Sequence, residues 1–371
     1  MPAFDSAAIL AHIQRWVACE SPSDVPETVN AMQDLIAADY AALPVTMERV
    51  KGSHGCGDHL IIRSNWGQDR PGILLLSHAD TVHPVGFLKR LPIAVEGDIA
   101  TGPGIYDMKG GLCLAFHAVK AVADAGGTPL GITHLIVSDE EIGSPSSRPL
   151  IEKLGRAAKY VLVTEPARDG GRIVIARKAT GNFTLNVRGR ASHAGTRPQD
   201  GRSAIRELAH AILTLEALND ADAGITVTVG IVSGGTRPNV IPESASAEID
   251  IRAPTLEAAN RLVATILALK PVTPDVTIEV TGCLNRPPFE QSAGSKALFE
   301  HTRKLAAELG IDLQGVVSGG GSDGNFTAAT TPTLDGLGID GKGAHTDYEQ
   351  AYVSSIVPRT QLMKRLLETL R

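Results

Sequence analysis

The sequence predicts an α/β protein in which a larger, discontinuous domain with a mixed sheet is interrupted by a smaller α+β domain. In the first half of the chain, short apolar runs alternate with stretches of helical periodicity, which is typical of strands joined by crossover helices. In the middle, apolar and polar residues alternate with the period of half-exposed strands. The length of 371 residues also exceeds what one hydrophobic core usually supports.

The N-terminal segment, residues 1–17, predicts an amphipathic helix. Ile9, Leu10, Ile13 and Val17 recur at helical spacing, and no basic stretch precedes an unbroken apolar run. No apolar run in the chain approaches the roughly 20 residues that span a bilayer. We therefore expect no membrane association and a cytoplasmic location.

Three uniformly apolar runs predict buried strands at residues 73–76, 133–137 and 160–163. Each run stops at polar residues. His78 follows the first run, Glu140 and Glu141 follow the second, and Glu165 follows the third. Open α/β sheets bind ligands beyond the carboxyl ends of their strands, so we expect these side chains at one edge of the sheet.

The middle of the chain predicts a ferredoxin-like βαββαβ module. Its strand, helix, strand, strand, helix and strand lie at residues 183–187, 205–215, 225–229, 247–251, 262–266 and 276–280. Helical patterns then return at residues 298–309 and 355–370, separated by an apolar segment that ends near Ile339. The predicted division is 1–179 and 287–371 for the larger domain, and 180–286 for the inserted domain.

Charge and cysteine content exclude several classes of function. The formal net charge is −6 and no long Lys/Arg run occurs, so the sequence indicates no binding to nucleic acid or anionic membranes and favours a small-molecule ligand. Cys19, Cys56, Cys113 and Cys283 are scattered without a CxxC pair. We interpret them as isolated reduced thiols, with neither a thiolate zinc site nor a disulfide framework.

Five short segments carry the residues that could perform chemistry. These residues are His78, Asp80, Asp107, Glu140, Glu141, Glu165 and His345. Taken singly, such residues are more often ordinary core or surface positions. Together they indicate a metal site, because imidazole and carboxylate ligands suit zinc, and two ions about 3.5 Å apart normally share a bridging carboxylate.

The segments also suggest how these residues divide the work. Asp107 lies in a glycine-bounded loop before a predicted helix at 109–125, which makes it the natural bridge. Asp80 follows His78 by two positions and could accept its second N–H. The adjacent acids Glu140 and Glu141 point in different directions at a strand end, so one can bind metal while the other faces the water.

From about His78 to the C-terminus, these segments resemble the M20 family of metallopeptidases. That family includes glutamate carboxypeptidase, acetylornithine deacetylase, succinyl-diaminopimelate desuccinylase and aminoacylase. The resemblance implies an amide hydrolase with two Zn²⁺ ions, for which Co²⁺ or Mn²⁺ could substitute. It also implies a catalytic domain with an inserted lid and dimerisation domain, Glu140 as general base and Asp80 as the group that orients His78. The implied metal ligands are His78, Asp107, Glu141, Glu165 and His345.

His193 is the candidate donor to the oxyanion of the transition state. It lies in the segment 189–195, and the resemblance implies that this histidine reaches the active site of the partner subunit in dimeric members. By the same resemblance, we expect a homodimer formed through the inserted domain. The sequence leaves a second interpretation open, in which His193 is a loop histidine that caps the following helix.

Three segments, 237–252, 285–288 and 318–323, resemble glutamate carboxypeptidase in particular. The resemblance implies that Asn239, Arg252 and Arg286 line the substrate pocket. A guanidinium binds a carboxylate through two parallel hydrogen bonds, so Arg286 would suit a substrate with a free carboxylate. Arg252 has an alternative role as a surface ion pair.

The leading hypothesis is therefore a dizinc carboxypeptidase that releases a glutamate-like C-terminal residue from a small peptide or an N-acyl amino acid. The alternative within the enzyme class is a deacylase of the acetylornithine deacetylase or aminoacylase kind. A third hypothesis is a non-hydrolytic binding protein on the same scaffold. Glu140 argues against the third hypothesis, because a binding protein needs no general base.

Overall fold

The chain folds into two compact units. The computed structural model describes residues 4–371, so the start of the predicted N-terminal helix, residues 1–3, lies outside the described part. One unit contains the chain up to Ala176 together with Gln291–Ser318 and Ser322–Arg371. The other unit contains Arg177–Glu290 and Gly319–Gly321. Each unit has its own hydrophobic core.

Regular elements cover most of the described chain. The α-helices within residues 4–371 are α1 (Ser6–Val17), α2 (Pro26–Tyr40), α3 (Gly111–Asp124), α4 (Arg148–Ala157), α5 (Ala204–Glu216), α6 (Leu256–Leu267), α7 (Ala293–Glu308) and α8 (Ile356–Thr369). The strands in the same residues are β1 (Val45–Val50), β2 (His59–Ser64), β3 (Ile73–His78), β4 (Ala94–Glu96), β5 (Ile99–Thr101), β6 (Ile132–Val137), β7 (Tyr160–Val163), β8 (Ile173–Arg177), β9 (Ala179–Arg188), β10 (Ser192–His193), β11 (Thr226–Gly234), β12 (Val240–Ile241), β13 (Ser244–Ala253), β14 (Thr277–Arg286), β15 (Gly315–Ser318), β16 (Thr333–Leu334), β17 (Gly341–Lys342) and β18 (Gln350–Tyr352).

The first unit is built on a mixed sheet with the strand order β1-β2-β6-β3-β7-β16. The pairings among β6, β3, β7 and β16 are parallel, whereas β1 and β2 join the sheet through antiparallel pairings. The three parallel strands β3, β6 and β7 are buried over nearly their whole length, as their uniformly apolar sequences predict. The predicted α/β fold class with a mixed sheet is therefore confirmed.

Helices α1, α3 and α8 pack together beside this sheet. Asp5 caps α1 by accepting hydrogen bonds from the backbone N–H groups of Ala7 and Ala8. Helix α3 is buried on almost every side, as expected for a helix whose sequence is apolar all round. It begins at Gly111, where a Cβ atom would lie 2.0 Å from the carbonyl oxygen of Thr164. Only glycine allows this close approach of α3 to the end of β7.

The second unit contains a four-stranded antiparallel sheet in the order β11-β13-β9-β14. Inward-facing residues such as Phe183, Leu185 and Val187 alternate with polar ones along β9 and pack against apolar residues of α5 and α6. The elements follow one another as β9, α5, β11, β13, α6 and β14, apart from the short ladder formed by β10 and β12. This order is that of a βαββαβ module.

Two further findings concern the chain as a whole. Among residues 4–371, no helix combines the length and the apolar character needed to cross a bilayer. The four cysteines are all free thiols; Cys56 and Cys113 are buried, and Cys283 is exposed.

Candidate metal centre and active site

The parallel strands of the first unit bring four of the predicted residues to one edge of the sheet. His78 is the last residue of β3 and is only 2% exposed. Glu140 and Glu141 begin a short 3₁₀ turn, Glu140–Ile142, just after β6. Glu165 follows β7 and is also buried. The sheet thus converts distant sequence positions into neighbours, as expected for the carboxyl ends of parallel strands.

Asp107 is placed by an irregular helical turn, Ile105–Gly110, that precedes α3. The turn is held by the fully buried carboxylate of Glu349. Its Oε1 atom accepts hydrogen bonds from the backbone N–H groups of Tyr106 at 2.8 Å and of Asp107 at 2.9 Å. Its Oε2 atom accepts one from Gly104 at 2.9 Å and faces His83 Nε2 at 2.8 Å. Glu349 therefore fixes the backbone from which Asp107 reaches the cluster.

His345 approaches from the opposite end of the chain. It lies in a turn after β17, where Gly343 has φ 82° and His345 itself has φ 64°. This left-handed conformation is unusual for a residue with a side chain. The hydroxyl group of Thr346 donates to the carbonyl oxygen of Gly343 at 2.7 Å and closes the turn. The imidazole remains about half exposed, at 54%.

The five predicted ligands converge around Asp107. Its Oδ1 atom lies 3.4 Å from Nε2 of His78, and its Oδ2 atom lies 3.4 Å from Nε2 of His345. Glu165 Oε1 lies 3.5 Å from Nε2 of His78, and Glu141 Oε2 lies 3.0 Å from Nε2 of His345. We call these residues the strand-end cluster. It consists of two triads that share one carboxylate.

Asp80 is fully buried beside this cluster, and its carboxylate has a role that the sequence did not reveal. The hydrogen bond from His78 Nδ1 goes to the backbone carbonyl of Asp80 at 2.9 Å, whereas the carboxylate lies 3.5 Å away. The carboxylate instead accepts from the backbone N–H groups of Glu140 and Glu141, at 3.3 and 3.1 Å, and from Ser23 Oγ at 2.6 Å. Asp80 thus positions both the histidine and the pair of acids.

The carboxylates control the pKa values of the two histidines. Burial alone would lower the pKa of His78, but the carboxylate of Asp107 and other nearby negative charges hold that pKa well above its usual value. Hydrogen bonds with Asp107 and Glu141 raise the pKa of His345 to about 11. Burial would raise the pKa of Asp107, yet the two histidines hold it well below its usual range. Burial and the charge of Asp107 raise the pKa of Glu141.

The donor set fits divalent metal ions. Within residues 4–371, His78 Nε2 and Glu141 Oε1 are buried atoms without a hydrogen-bond partner. Leaving such an atom unsatisfied costs about 1–3 kcal/mol, so a native site is expected to supply a partner. Imidazole nitrogens and carboxylate oxygens are ligands for zinc and its neighbours in the divalent series. In each triad, the ligand atoms lie within 4.8 Å of one another.

His193 belongs to the second unit and lies in the short strand β10, where its side chain is exposed. Its Nδ1 atom accepts hydrogen bonds from the backbone N–H groups of Gly195 and Thr196, both at 3.1 Å. A neutral imidazole whose Nδ1 accepts must carry its hydrogen on Nε2. The loop therefore presents an N–H donor at Nε2.

The three predicted substrate-binding residues also belong to the second unit and differ in their surroundings. Asn239 is exposed just before β12, and its carbonyl oxygen accepts from the backbone N–H of Ala194. Arg252 donates to both carboxylate oxygens of Asp250 at 2.8 Å, in a pair that is about one-third exposed. Arg286, the last residue of β14, is 4% exposed.

Sequence reasoning missed several residues that support the site. His83 and Glu349 form a buried pair beneath the Asp107 turn. Asp139 is fully buried and accepts from the backbone N–H groups of Ser146 and Ser147, which fixes the loop after the two acids. Asp139 directly precedes Glu140 and Glu141 in the sequence, and this position could have indicated that it supports them. Nothing in the local sequence marks His83 or Glu349.

A mixed sheet whose strand ends, together with two neighbouring turns, gather two histidines and three carboxylates is typical of metal-dependent enzymes. The chain belongs to Peptidase family M20/M25/M40, which it matches over residues 74–369. The resemblance noted from the sequence is therefore confirmed. Membership identifies the protein as a hydrolytic enzyme, a peptidase or amidohydrolase, and implies divalent metal ions at its site.

Known relatives extend over nearly the whole chain. This chain is 30% identical over 369 residues to carboxypeptidase G2 from Pseudomonas sp. (strain RS-16), and the alignment covers 97% of this chain and 88% of that protein. It is 26% identical over 376 residues to succinyl-diaminopimelate desuccinylase from Delftia acidovorans, covering 94% and 95%. A solved tripeptidase from Staphylococcus aureus matches with a TM-score of 0.83 at 21% identity, covering 99% and 98%. At 21% identity, this structural similarity shows that the two chains share a fold and no more than that.

Proposed function

We propose that this chain is a dizinc carboxypeptidase that hydrolyses the amide bond before a glutamate-like C-terminal residue of a small peptide or N-acyl amino acid. The position of Asp107 supports the two-metal part of this proposal. Its two oxygens face two different histidines, each at 3.4 Å. A carboxylate in that position can bridge two ions, one held with His78 and Glu165 and the other with Glu141 and His345.

Side chains of the protein accept and donate the protons that the reaction requires. When bound, the two ions would polarise the amide carbonyl and make the attacking water more acidic. Glu140 accepts a proton from that water and delivers it to the nitrogen of the leaving amine, so the C–N bond breaks as the new C–O bond is retained. Asp80 keeps Glu140 in place through its hydrogen bond to the backbone N–H.

His193 is proposed as the donor that stabilises the oxyanion. The N–H at Nε2 supports this role, because a donor aimed at the developing charge can contribute roughly 3–4 kcal/mol. We further propose that Arg177–Glu290 acts as a lid and dimerisation domain, and that His193 acts in the partner's site. Light scattering should therefore report a homodimer, and a monomer at assay concentration would contradict the cross-subunit role.

The preference for a carboxylate-bearing product rests on the second unit and on a relative. The similarity to carboxypeptidase G2 supports a carboxypeptidase rather than another M20 activity. Arg286, Arg252 and Asn239 are the proposed contacts to the substrate. A guanidinium recognises a carboxylate through two parallel hydrogen bonds, so these arginines would select the free carboxylates of a glutamate-like residue.

The desuccinylase relative supports a second candidate, an N-acyl amino acid deacylase. A substrate panel separates the two. Peptidyl-glutamates and N-acyl glutamates should be cleaved with a higher kcat/KM than N-acetylornithine and neutral N-acyl amino acids. Equal rates across the panel would favour the deacylase, and metal analysis of the same preparation should give at least two zinc ions per chain.

Replacing the general base tests whether the protein is a hydrolase or only binds its ligand. Glu140→Gln should retain both zinc ions and lose about 10²–10⁴-fold in kcat, because proton transfer by a positioned base contributes that much. Glu152→Gln is the matched control, since Glu152 forms a surface ion pair with Arg148 on α4. Full activity in Glu140→Gln would reject its assigned role.

A further inference from the structure

A second group of potential metal ligands lies between two helices of the first unit, apart from the strand-end cluster. Cys113 and His117 are four residues apart on α3 and therefore share a face of that helix. His12 lies on α1. One ligand atom from each of the three residues lies within 4.8 Å of the other two. We propose that His12, Cys113 and His117, here called the helix cluster, bind one Zn²⁺ ion that links α1 to α3.

The spacing of the two imidazoles suits one zinc ion. Nδ1 of His12 lies 3.0 Å from Nε2 of His117, and the ring planes meet at 80°. Two nitrogens bound to one tetrahedral zinc, at bond lengths of about 2.0–2.1 Å, lie about 3.3 Å apart. The rings need to separate only slightly to accept the ion. The two nitrogens now face each other at hydrogen-bond distance, so the proton between them would have to leave when the ion binds.

The second nitrogen of His12 is already held by a carboxylate. Nε2 of His12 lies 3.0 Å from Oδ2 of Asp39, near the end of α2, and 2.9 Å from a guanidinium nitrogen of Arg15. Asp39 is itself fixed by Trp16 Nε1 at 2.8 Å and by the guanidinium of Arg15. Metal-binding histidines usually donate their other N–H to a carboxylate in this way. With Nε2 donating to Asp39, the lone pair of His12 would lie on Nδ1, which faces His117.

Within the helix cluster, burial lowers the pKa of His12, and burial together with the neighbouring His12 lowers the pKa of His117 to about 4. His117 would carry its hydrogen on Nδ1 in the bound state, so that both facing nitrogens offer lone pairs.

Cys113 supplies the soft ligand that distinguishes this cluster. Its side chain is fully buried, and burial raises the pKa of the thiol well above its usual value. On binding, the thiol proton passes to solvent and the sulfur coordinates as thiolate, as a zinc-bound cysteine does. Two positively charged side chains lie near the helix cluster, and each is paired with a carboxylate: Arg15 with Asp39, and Lys120 with Asp124. These ion pairs add no net positive charge that would repel the metal ion.

A cavity next to the helix cluster gives the ion a route and a fourth position. It has a volume of about 550 Å³ and is lined in part by Ile9, His117 and Lys120. Three protein ligands leave one tetrahedral position, which a water molecule in this cavity can fill. A thiolate with two imidazoles favours zinc over magnesium or calcium, which prefer oxygen ligands.

Cobalt substitution tests this site independently of the proposed hydrolase. The protein is stripped with a chelator and titrated with Co²⁺ while the absorption spectrum is recorded. The strand-end cluster offers nitrogen and oxygen ligands, so only thiolate coordination gives an intense sulfur-to-cobalt charge-transfer band in the near ultraviolet. We expect that band to saturate at one Co²⁺ per chain and to disappear when Zn²⁺ displaces the cobalt.

Single substitutions assign the band to the helix cluster. Cys113→Ser should abolish it and leave the weaker visible absorption of strand-end cobalt unchanged. Cys56→Ser, which alters the other buried thiol, and Cys283→Ser, which alters an exposed one, should keep it. Asp39→Asn should weaken the affinity for this Co²⁺ by 10–100-fold, because Asp39 acts through His12. Circular dichroism of each variant checks that it folds.

His117→Gln provides a second test that alters a partly exposed residue and keeps the thiol. It should also abolish the band. No charge-transfer band at saturating Co²⁺ would overturn the proposal, as would a band that survives in Cys113→Ser or His117→Gln. Loss of the band in Cys56→Ser with its retention in Cys113→Ser would do the same, because the thiolate would then come from another part of the chain.

Discussion

His78 and His134 lie on neighbouring parallel strands of one sheet, and both are buried, yet their pKa values shift in opposite directions. His134 in β6 has neutral hydrogen-bond partners, the hydroxyl groups of Tyr40 and Ser77, each at 2.8 Å. Burial lowers its pKa to about 3. His78 at the end of β3 faces carboxylates, which raise its pKa despite the same burial. The charge of the neighbours, rather than depth in the protein, decides whether a buried histidine is protonated.

The same contrast separates the two groups of metal ligands. The strand-end cluster is rich in carboxylates, which raise the pKa values of both its histidines. In the helix cluster, aromatic side chains pack around His12 and a single carboxylate, that of Asp39, contacts it, and burial lowers the pKa of both histidines. One sheet and one pair of helices thus create two kinds of histidine site within the same unit.

The largest expected effect concerns His134 and the loss of stability in acid. The folded state keeps this imidazole neutral down to about pH 3, whereas the unfolded state protonates it near 6.5. Between those values the unfolded state binds more protons, so the free energy of unfolding falls by about 1.4 kcal/mol per pH unit as the pH decreases. In His134→Gln that contribution should vanish, and urea unfolding of chelator-treated protein should show a shallower pH dependence between 6.5 and 3.

Tyr40→Phe serves as the control for this experiment. It removes one hydrogen bond from His134 but leaves the imidazole in the core. The variant should be less stable at every pH and keep the slope of the original protein. An unchanged slope in His134→Gln would show that this histidine is protonated in the folded state, and the contrast with His78 would be wrong.

Removing the charge of Glu349 should have the next largest effect. The carboxylate accepts from three backbone N–H groups of the Asp107 turn and faces His83. In Glu349→Gln, the amide NH₂ would face one of these N–H donors, which would then have no acceptor. The free energy of unfolding should therefore fall by about 2–4 kcal/mol. Turnover should fall as well, because Asp107 loses its support. Thermal unfolding and kcat of the same preparation measure both effects.

Glu308→Gln gives the matched comparison at the surface. Glu308 pairs with Arg365 but is 58% exposed, so its loss should change the free energy of unfolding by less than about 1 kcal/mol. Equal stability changes in the two variants would mean that the buried carboxylate does not hold the turn.

The strand-end cluster could be predicted from the sequence because its residues follow recognisable strands. The apolar run at 73–76 ends next to His78, and the runs before Glu141 and Glu165 end in the same way. Parallel strands of one sheet end at the same edge, so the pattern of apolar runs followed by polar residues predicts that these side chains lie close together. His345 required the resemblance to the family, because its turn after β17 has no comparable pattern.

Other contacts could not be predicted, because they join positions that no periodicity connects. Glu349 reaches Gly104 across 245 residues of chain. Cys113 and His117 are visibly one helical turn apart, but only the packing of α1 on α3 brings His12 to them. The sequence therefore suggested isolated thiols, whereas the folded chain places one thiol beside two imidazoles.

Asp80→Asn should have a smaller effect, on metal affinity. The substitution tests the contribution of one negative charge beside His78. The asparagine keeps an oxygen acceptor for the backbone of Glu140 or Glu141 but removes the charge 3.5 Å from His78 Nδ1. Zinc affinity, measured by competition with a chromogenic chelator, should fall by about 10–100-fold. Asp98→Asn is the control, since this exposed aspartate also accepts from a serine but lies on another loop. An unchanged affinity in Asp80→Asn would show that the hydrogen bond from His78 Nδ1 to the backbone carbonyl of residue 80 is sufficient.

Arg252 provides the smallest expected change in stability and tests whether an exposed charge can still matter for substrate. Its pair with Asp250 is about one-third exposed, so Arg252→Gln should lower the free energy of unfolding by no more than about 1 kcal/mol. If the guanidinium binds a substrate carboxylate, KM for glutamyl substrates should rise by about tenfold or more while kcat changes little, since a charged hydrogen bond contributes about 1.5–3 kcal/mol. Asp250→Asn breaks the same ion pair but keeps the guanidinium, so its KM should not rise. A KM unaffected by either substitution would leave Arg252 as a surface ion pair, and substrate selection would then depend on Arg286.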